Sequence, residues 1–193
     1  MEGGRLVMRV GGVIQSVRVD AGYTADVWDA LLPRRRPAHA LILGLGGGTI
    51  AALMLRRWEH AVIVGVEHDP AVVALARREF GLAPFEQSGA LRIVTGDAFS
   101  FVRAAAACSD GTRSQFDAIC VDMYTAGRLA HGALAPRFLR DLTLLLTAEG
   151  EITINLWRSP YLEDQLRRLR RELTLRELTL VDENVVARCG PLG

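Results

Sequence analysis

The sequence predicts an α/β fold: a doubly wound, mostly parallel seven-stranded sheet of Rossmann-like type with a small N-terminal β-hairpin. Three observations predict it. Strand-length apolar runs alternate with helical patterns from residue 38 onward. The apolar run Ala40–Leu43 leads straight into a glycine-rich turn and then a helical pattern, and two β-rich runs flank Gly11–Gly12. We therefore expect a layered domain over 38–193 and a smaller segment over 1–37.

The N-terminal segment contains the signals of a hairpin, a short helix and a linker. Residues 5–20 form two β-rich runs, and the Gly11–Gly12 pair between them favours a two-residue turn. Thr24 is expected to cap a short helix that runs through Leu32. The segment Pro33–Pro37, with three arginines between its prolines, is predicted to be a linker.

Strands and helices are then predicted in alternation. The expected strands are His39–Leu43, Ala61–Val66, Leu91–Val94, Phe116–Val121, Glu151–Leu156, Leu175–Val181 and Asn184–Arg188. Helices are expected between them, ending near Trp58, Phe80, Ala107, Leu146 and Glu172. A polar loop is expected over Cys108–Ser114, and the last two strands could pair as a hairpin.

Composition excludes several classes of function. Half of the 193 residues are hydrophobic, yet the apolar runs are too short for a transmembrane span. Residues 1–5 contain no apolar signal core, so we expect a cytoplasmic protein. All basic residues are arginine, which excludes Schiff-base chemistry and a P-loop lysine. The cysteines and histidines lack metal-ligand spacing, so no metal is expected.

The glycine-rich turn after the first long apolar run indicates a nucleotide site. Its glycines fit the pattern Gly44-x-Gly46-x-Gly48, and Thr49 stands where a dinucleotide fingerprint requires glycine. The looser pattern is typical of S-adenosylmethionine (SAM) enzymes. The alternative is a tight strand–helix turn that binds no ligand.

Polar residues follow the next three predicted strands, and their positions suggest a nucleoside. Glu67 could accept both hydroxyls of a ribose. Asp97, followed by Ala98, could accept from the amine of adenine, or it could be a plain helix cap. Asp122, with Tyr124 close behind, follows the fourth strand; it could instead be a loop acid that binds local backbone. Together they favour a phosphate-free sulfonium nucleoside such as SAM over ATP or NAD.

Four segments also carry a family resemblance: Gly12–Gln15, Val66–Asp69, Gly96–Ala98 and Phe116–Asp122. With these the chain resembles the spermidine synthase family, aminopropyltransferases built on the SAM methyltransferase fold. The resemblance implies that Gln15 of the hairpin reaches the bound nucleoside, that Glu67 and Asp97 bind ribose and adenine, and that Asp122 is the catalytic aspartate.

The chain departs from the family at three positions. Gly47 stands where the family usually has an acid that holds the aminopropyl amine, Thr125 where it has a second aspartate, and Thr24 where it has a tyrosine. A loop with N–H groups and no negative charge favours SAM, whose tail carries a carboxylate. We therefore expect methyl transfer to a small amine, with aminopropyl transfer from decarboxylated SAM as the alternative.

In either reaction Asp122 would orient the amine and accept its proton, with Gln15 and Tyr124 closing the site. A nucleoside-binding module without turnover remains a rival from another class. A second rival is nucleic-acid binding through Arg167–Arg171, but nearby glutamates favour a solvated face, and no nucleic acid or membrane partner is expected. The N-terminal hairpin could pair with that of a second copy in a homodimer, but the sequence does not determine the oligomeric state.

Overall fold

A computed structural model describes residues 5–21, 23, 26–108, 116–125 and 127–192. Over these residues the strands are β1 Val7–Val10, β2 Val13–Val17, β3 His39–Leu43, β4 Val62–Glu67, β5 Leu91–Thr95, β6 Phe116–Val121, β7 Tyr124–Thr125, β8 Arg128–Leu129, β9 Leu146–Trp157, β10 Thr174–Val181 and β11 Asn184–Gly190. The helices are α1 Val27–Leu31, α2 Thr49–Arg57, α3 Pro70–Glu79, α4 Ala83–Gln87, α5 Ala98–Ala107, α6 Pro136–Leu145 and α7 Leu162–Glu172. Each described helix is too short or too polar to cross a bilayer.

Seven strands form one sheet in the order β10-β11-β9-β6-β3-β4-β5. The pairs from β9 to β5 are parallel, and β11 runs antiparallel to both of its neighbours. The predicted mostly parallel seven-stranded sheet is therefore confirmed. The chain moves outward from β3 to β5 and then returns to β6 on the other side of β3. Ligands of such sheets bind at this reversal, beyond the carboxyl ends of the strands.

The central strand β3 shows why the sheet is covered on both faces. Its residues 40–43 are all fully buried. Ala40 and Ile42 belong to the apolar core that also contains α1 and α2, whereas Leu41 and Leu43 belong to the core beneath α5, α6 and α7. A strand buried on both faces reads as a continuous apolar run instead of an alternating one, and that run is what the sequence displays.

The N-terminal hairpin lies against the glycine-rich turn. β1 and β2 pair antiparallel, and Gly11 and Gly12 both have positive φ, +58° and +83°, as a two-residue primed turn requires. The Val17 N–H donates to Thr49 Oγ1 at 2.9 Å, and the Thr49 hydroxyl donates to the Val17 carbonyl at 2.8 Å. This reciprocal pair joins β2 to the first residue of α2.

The helix of the N-terminal segment begins later than expected. Thr24, the expected cap, lies outside the described residues. The cap is Asp26, whose side chain forms a capping box with Asp29, and α1 runs Val27–Leu31. The Leu31 carbonyl accepts from the Thr153 hydroxyl at 2.8 Å, so the end of α1 is fixed to the sheet.

Helix α4 and strand β9 also differ from expectation. Helix α4 was not predicted, and its five residues are too few for a periodic pattern. Strand β9 begins at Leu146, directly after α6, instead of at Glu151. The predicted loop Cys108–Ser114 lies, apart from its first residue, outside the described residues.

Candidate functional site

A cavity of about 460 Å³ lies at the carboxyl edge of the sheet. Eight of the nine site residues predicted from the sequence line it: Gln15, Gly44, Gly46, Glu67, Asp97, Ala98, Asp122 and Tyr124. Lining residues that the sequence did not single out include Met8, Val10, His68, Asp69, Phe99 and Met123. The parallel sheet thus brings together strand ends that are far apart in the chain. The volume of the cavity lies within the size range of small-molecule sites.

Gly48 is the predicted site residue that is not among the lining residues. It has φ +84° as the residue before α2, and a Cβ there would overlap the Leu82 side chain. Its glycine is required by the backbone conformation and by this packing. The structure therefore assigns Gly48 to the turn and not to the cavity wall.

Glu67, the last residue of β4, connects the loops around it. Its side chain is 6% exposed. Oε2 accepts from the Gly46 N–H at 2.9 Å, Oε1 accepts from the Asp69 N–H at 3.1 Å, and His68 Nδ1 lies 3.0 Å from Oε1. A carboxylate offers about four acceptor positions, so capacity remains for a ligand's hydroxyls.

Asp97 caps α5, as the alternative interpretation anticipated, and also lines the cavity. Its Oδ2 accepts from the Ser100 N–H at 2.8 Å. This hydrogen bonding to Ser100 lowers the pKa of the carboxyl, which stays ionised at neutral pH. A carboxylate offers about four acceptor positions, so capping and ligand binding are compatible roles.

Asp122 follows β6 at the strand reversal, next to the glycine turn. Its N–H donates to the Leu43 carbonyl at 2.9 Å, and a Cβ on Gly44 would overlap the Asp122 carbonyl. Glycine at position 44 is therefore what lets these two strand ends approach. The partly buried Asp122 carboxylate accepts from Trp28 Nε1 at 3.2 Å and from Asn155 Nδ2 at 2.9 Å.

Burial raises the pKa of Asp122, and the hydrogen bonds from Asn155 and Trp28 oppose that rise. Tyr124 lies beside it, and its hydroxyl donates to the Asn155 backbone carbonyl at 3.2 Å. Burial, with the nearby Asp122 charge second, raises the pKa of Tyr124. The tyrosine is therefore a neutral hydrogen-bonding group next to the Asp122 carboxyl group.

Trp28 and Asn155 are functional candidates that sequence reasoning missed. Asn155 left a weak signal, since it is a buried polar residue within the apolar strand β9. Trp28 left none, because an aromatic residue on the buried face of a short helix is ordinary core.

The cavity lining is strongly acidic. It contains four carboxylates, on Glu67, Asp69, Asp97 and Asp122, and His68 is the one basic side chain among the described lining residues. This charge pattern disfavours phosphates and favours a cationic ligand.

The N–H groups of the glycine turn already have acceptors. Those of residues 44 and 45 donate to the Val66 carbonyl, those of residues 46 and 47 to Glu67 Oε2 and Ser16 Oγ, and that of residue 48 to the Leu45 carbonyl. The expectation that this turn offers open N–H groups to a carboxylate is therefore wrong.

Gly47 also faces away from the cavity. A Cβ at this position would lie 2.7 Å from Ser16 Cβ and 3.0 Å from Phe80 Cδ1. The expectation that an acid at position 47 would sit at the ligand's tail is therefore corrected by the packing of the hairpin against α3.

A Gly47→Asp variant should consequently lose stability instead of changing ligand preference. Overpacking of this kind costs about 1–3 kcal/mol, and burial of the charge adds to the loss. Denaturant unfolding would measure it, with Gly47→Ala testing the space without the charge. A stable Gly47→Asp protein with altered preference between SAM and decarboxylated SAM would contradict this geometry.

A second cavity, of about 810 Å³, lies at the linker 33–36. Arginines of the protein itself engage its glutamates: Arg34 pairs with Glu177, and Arg188 Nη1 lies 2.9 Å from Glu151. Asp117 accepts from the N–H groups of residues 38 and 39. These ion pairs attach the linker to the sheet, which accounts for the cavity's charges structurally.

Comparisons with known proteins support the same fold. No family model matches the chain. A polyamine aminopropyltransferase of Vibrio vulnificus is 28% identical over 151 residues, 78% of this chain and 48% of that protein. A bovine eEF1A lysine and N-terminal methyltransferase is 29% identical over 126 residues, 62% of this chain and 17% of that protein. The chain thus spans half or less of the length of these curated relatives.

Two solved structures resemble this one. Human methyltransferase-like protein 13 in complex with SAH has a TM-score of 0.71 at 24% identity, covering 80% of this chain and 72% of that one. Spermidine synthase in complex with the transition state analogue AdoDATO has a TM-score of 0.70 at 15% identity, covering 94% and 64%. The chain has the spermidine synthase-like form of the SAM methyltransferase fold, as its sequence motifs predicted.

Proposed function

We propose that this chain is a transferase that binds an adenosyl sulfonium at the carboxyl edge of the sheet and passes a carbon group from it to an amine. The observation that carries the proposal is the partly buried Asp122 carboxylate, with its raised pKa, in the same cavity as Glu67 and Asp97. One group suited to accept a proton thus lies beside two suited to hold a nucleoside.

The residues present fit a phosphate-free nucleoside. Glu67 has acceptor capacity left for ribose hydroxyls, and the Asp97 carboxylate, which lines the cavity, can accept from the amine of adenine. Phosphates would meet four carboxylates, no arginine among the described lining residues, and a turn whose N–H groups are taken. ATP and NAD therefore fit poorly.

Asp122 supplies the acid–base chemistry. A bound sulfonium would provide an activated carbon whose leaving group is a neutral thioether. An amine has a pKa of about 10 in water and is mostly protonated at neutral pH. Asp122 would orient it and accept its proton, and the freed nitrogen lone pair would then attack the sulfonium carbon as the thioether leaves, while Gln15 and Tyr124 close the site.

Methyl transfer from SAM is the reaction we favour. In this proposal Glu67 and Asp97 bind the nucleoside, and Asp69 caps α3 by accepting from the Ala71 N–H, which leaves Asp122 as the carboxylate for the amine. One carboxylate suits one cationic amine. A decarboxylated donor would add a second ammonium on its tail.

Aminopropyl transfer from decarboxylated SAM is the second candidate. One observation supports this second candidate: the described lining offers the carboxylate of SAM neither an arginine nor an open N–H of the glycine turn. The relative named polyamine aminopropyltransferase is consistent with it. Amine acceptors of both kinds, polyamines and lysine side chains or protein N-termini, come within the proposed class.

Calorimetry with SAM, decarboxylated SAM and their thioether products separates the candidates. Tighter binding of SAM is the expected result and supports methyl transfer, whereas tighter binding of decarboxylated SAM supports aminopropyl transfer. Binding of ATP or NAD in preference to all four would overturn the proposal. Tight binding with no turnover on any amine tested would favour a non-catalytic nucleoside-binding module.

A further inference from the structure

We propose that Trp28 is a positioning residue for Asp122: its indole N–H, opposite the amide of Asn155, fixes the carboxylate so that its remaining lone pairs face the amine. The inference rests on the proposed transferase function and adds a residue from the N-terminal segment to it. Trp28 would act through Asp122 alone, since it is not among the cavity-lining residues.

Each carboxylate oxygen of Asp122 accepts one hydrogen bond from a side chain. Trp28 Nε1 donates to Oδ2 at 3.2 Å, and Asn155 Nδ2 donates to Oδ1 at 2.9 Å. Trp28 is 6% exposed and Asn155 is 5% exposed, so neither donor is exchanged readily for water. Two donors on different oxygens define the plane of the carboxylate, which a single donor would not.

The indole is itself held rigidly. Helix α1 is fixed at its start by the Asp26–Asp29 capping box and at its end by the Leu31 carbonyl, which accepts from the Thr153 hydroxyl. The Cys120 thiol approaches the same carbonyl at 3.3 Å. Trp28, in the second position of this short helix, is therefore presented to Asp122 by a helix that is capped at its start and bonded to the sheet at its end.

Both donors to Asp122 are neutral, and this argues for more than a structural role. A buried carboxylate that only supports a fold is usually neutralised by a cation. The titratable neighbours here are Tyr124 and Cys120; burial raises the pKa of both, that of Cys120 to about 12. Both are neutral at pH 7, so neither of these neighbours supplies a cation to Asp122, and its two described hydrogen bonds come from neutral donors.

Removal of the indole N–H has a defined consequence. A hydrogen bond to the charged form lowers the pKa of an acid, so its loss raises the pKa of Asp122 further. In Trp28→Phe, we expect the acid limb of the rate profile to move to higher pH. We expect kcat at neutral pH to fall about 10-fold, which is the rate change that corresponds to the loss of one hydrogen bond to a charged group. The KM for the sulfonium donor should not change.

The experiment pairs Trp28→Phe with Trp58→Phe. Trp58 lies at the end of α2, next to Arg57, outside the described cavity lining, so it makes the same chemical change away from Asp122. The Asp122 pKa is measured by ¹³C NMR of the carboxyl carbon, assigned with Asp122→Asn, which needs no substrate. We expect a higher pKa in Trp28→Phe and the wild-type value in Trp58→Phe.

An unchanged Asp122 pKa in Trp28→Phe would overturn the inference, even if transferase activity is found. Absence of activity would overturn the proposed function and leave the NMR result to decide the positioning role. If Trp28→Phe does not fold, Asn155→Leu removes the opposite donor. The pKa of Asp122 should rise there too, and a lower or unchanged pKa would contradict the proposal that the two donors hold the carboxylate.

Discussion

Asp122→Asn should lower turnover by about 10²–10⁴-fold while leaving the affinity for the sulfonium donor intact. Asparagine has the size of aspartate but cannot accept a proton at neutral pH. Its Nδ2 must also face one of the two N–H donors, from Trp28 or Asn155, so the side chain loses one of its holding bonds. Turnover across a panel of amines and calorimetry with the donor measure the two effects separately.

The wild-type rate should fall on acidification through a pKa above the ordinary range of an aspartate, because burial raises the pKa of Asp122 and only the ionised form can accept a proton. Asp164→Asn is the matched control, since Asp164 forms an exposed ion pair with Arg167 on α7. Wild-type turnover in Asp122→Asn would reduce Asp122 to a loop acid.

Glu67→Gln should weaken binding of the adenosyl ligand by about 1.5–3 kcal/mol, the worth of a hydrogen bond to a charged acceptor. The amide has one oxygen, and the structure already uses both carboxylate oxygens of Glu67 for the Gly46 and Asp69 N–H groups. In the variant, the single amide oxygen cannot accept from both backbone N–H groups and also from the ribose hydroxyls. Calorimetry with the preferred donor measures the loss, and thermal unfolding measures the loop contribution.

Glu79→Gln makes the same change at an acid paired with its neighbour Arg78 on α3, outside the described cavity lining. We expect its affinity for the donor to match that of the wild type. Unchanged affinity in a folded Glu67→Gln protein would instead remove Glu67 from the ribose site and leave it as a loop connector.

The strand ends could be predicted because two simple rules place them. Continuous apolar runs identify the parallel strands, and parallel strands bring their carboxyl ends to one edge of the sheet. Glu67, Asp97 and Asp122 could therefore be expected in one place from sequence alone. The fold followed from the same rules and was confirmed, including the hairpin formed by β10 and β11, although β9 begins earlier than expected.

The direction of individual groups could not be predicted in this way. The pattern of glycines reveals that the turn is tight, but not that Gly47 faces Ser16 or that Gly48 faces Leu82. Those directions depend on φ and ψ and on the hairpin packed above. Trp28 reaches Asp122 across 94 positions of sequence, a distance over which no local pattern carries information.

The contact between hairpin and glycine turn has a consequence for how the molecule opens. The Gly47 N–H donates to the buried Ser16 hydroxyl, and Thr49 exchanges two hydrogen bonds with Val17. Peeling the hairpin away would break all three hydrogen bonds and expose the buried Val17 side chain to water. Segments 1–37 and 38–193 differ in sequence character, but these contacts should make the hairpin and the glycine turn unfold together. We therefore expect local unfolding of the hairpin to release the glycine turn as well.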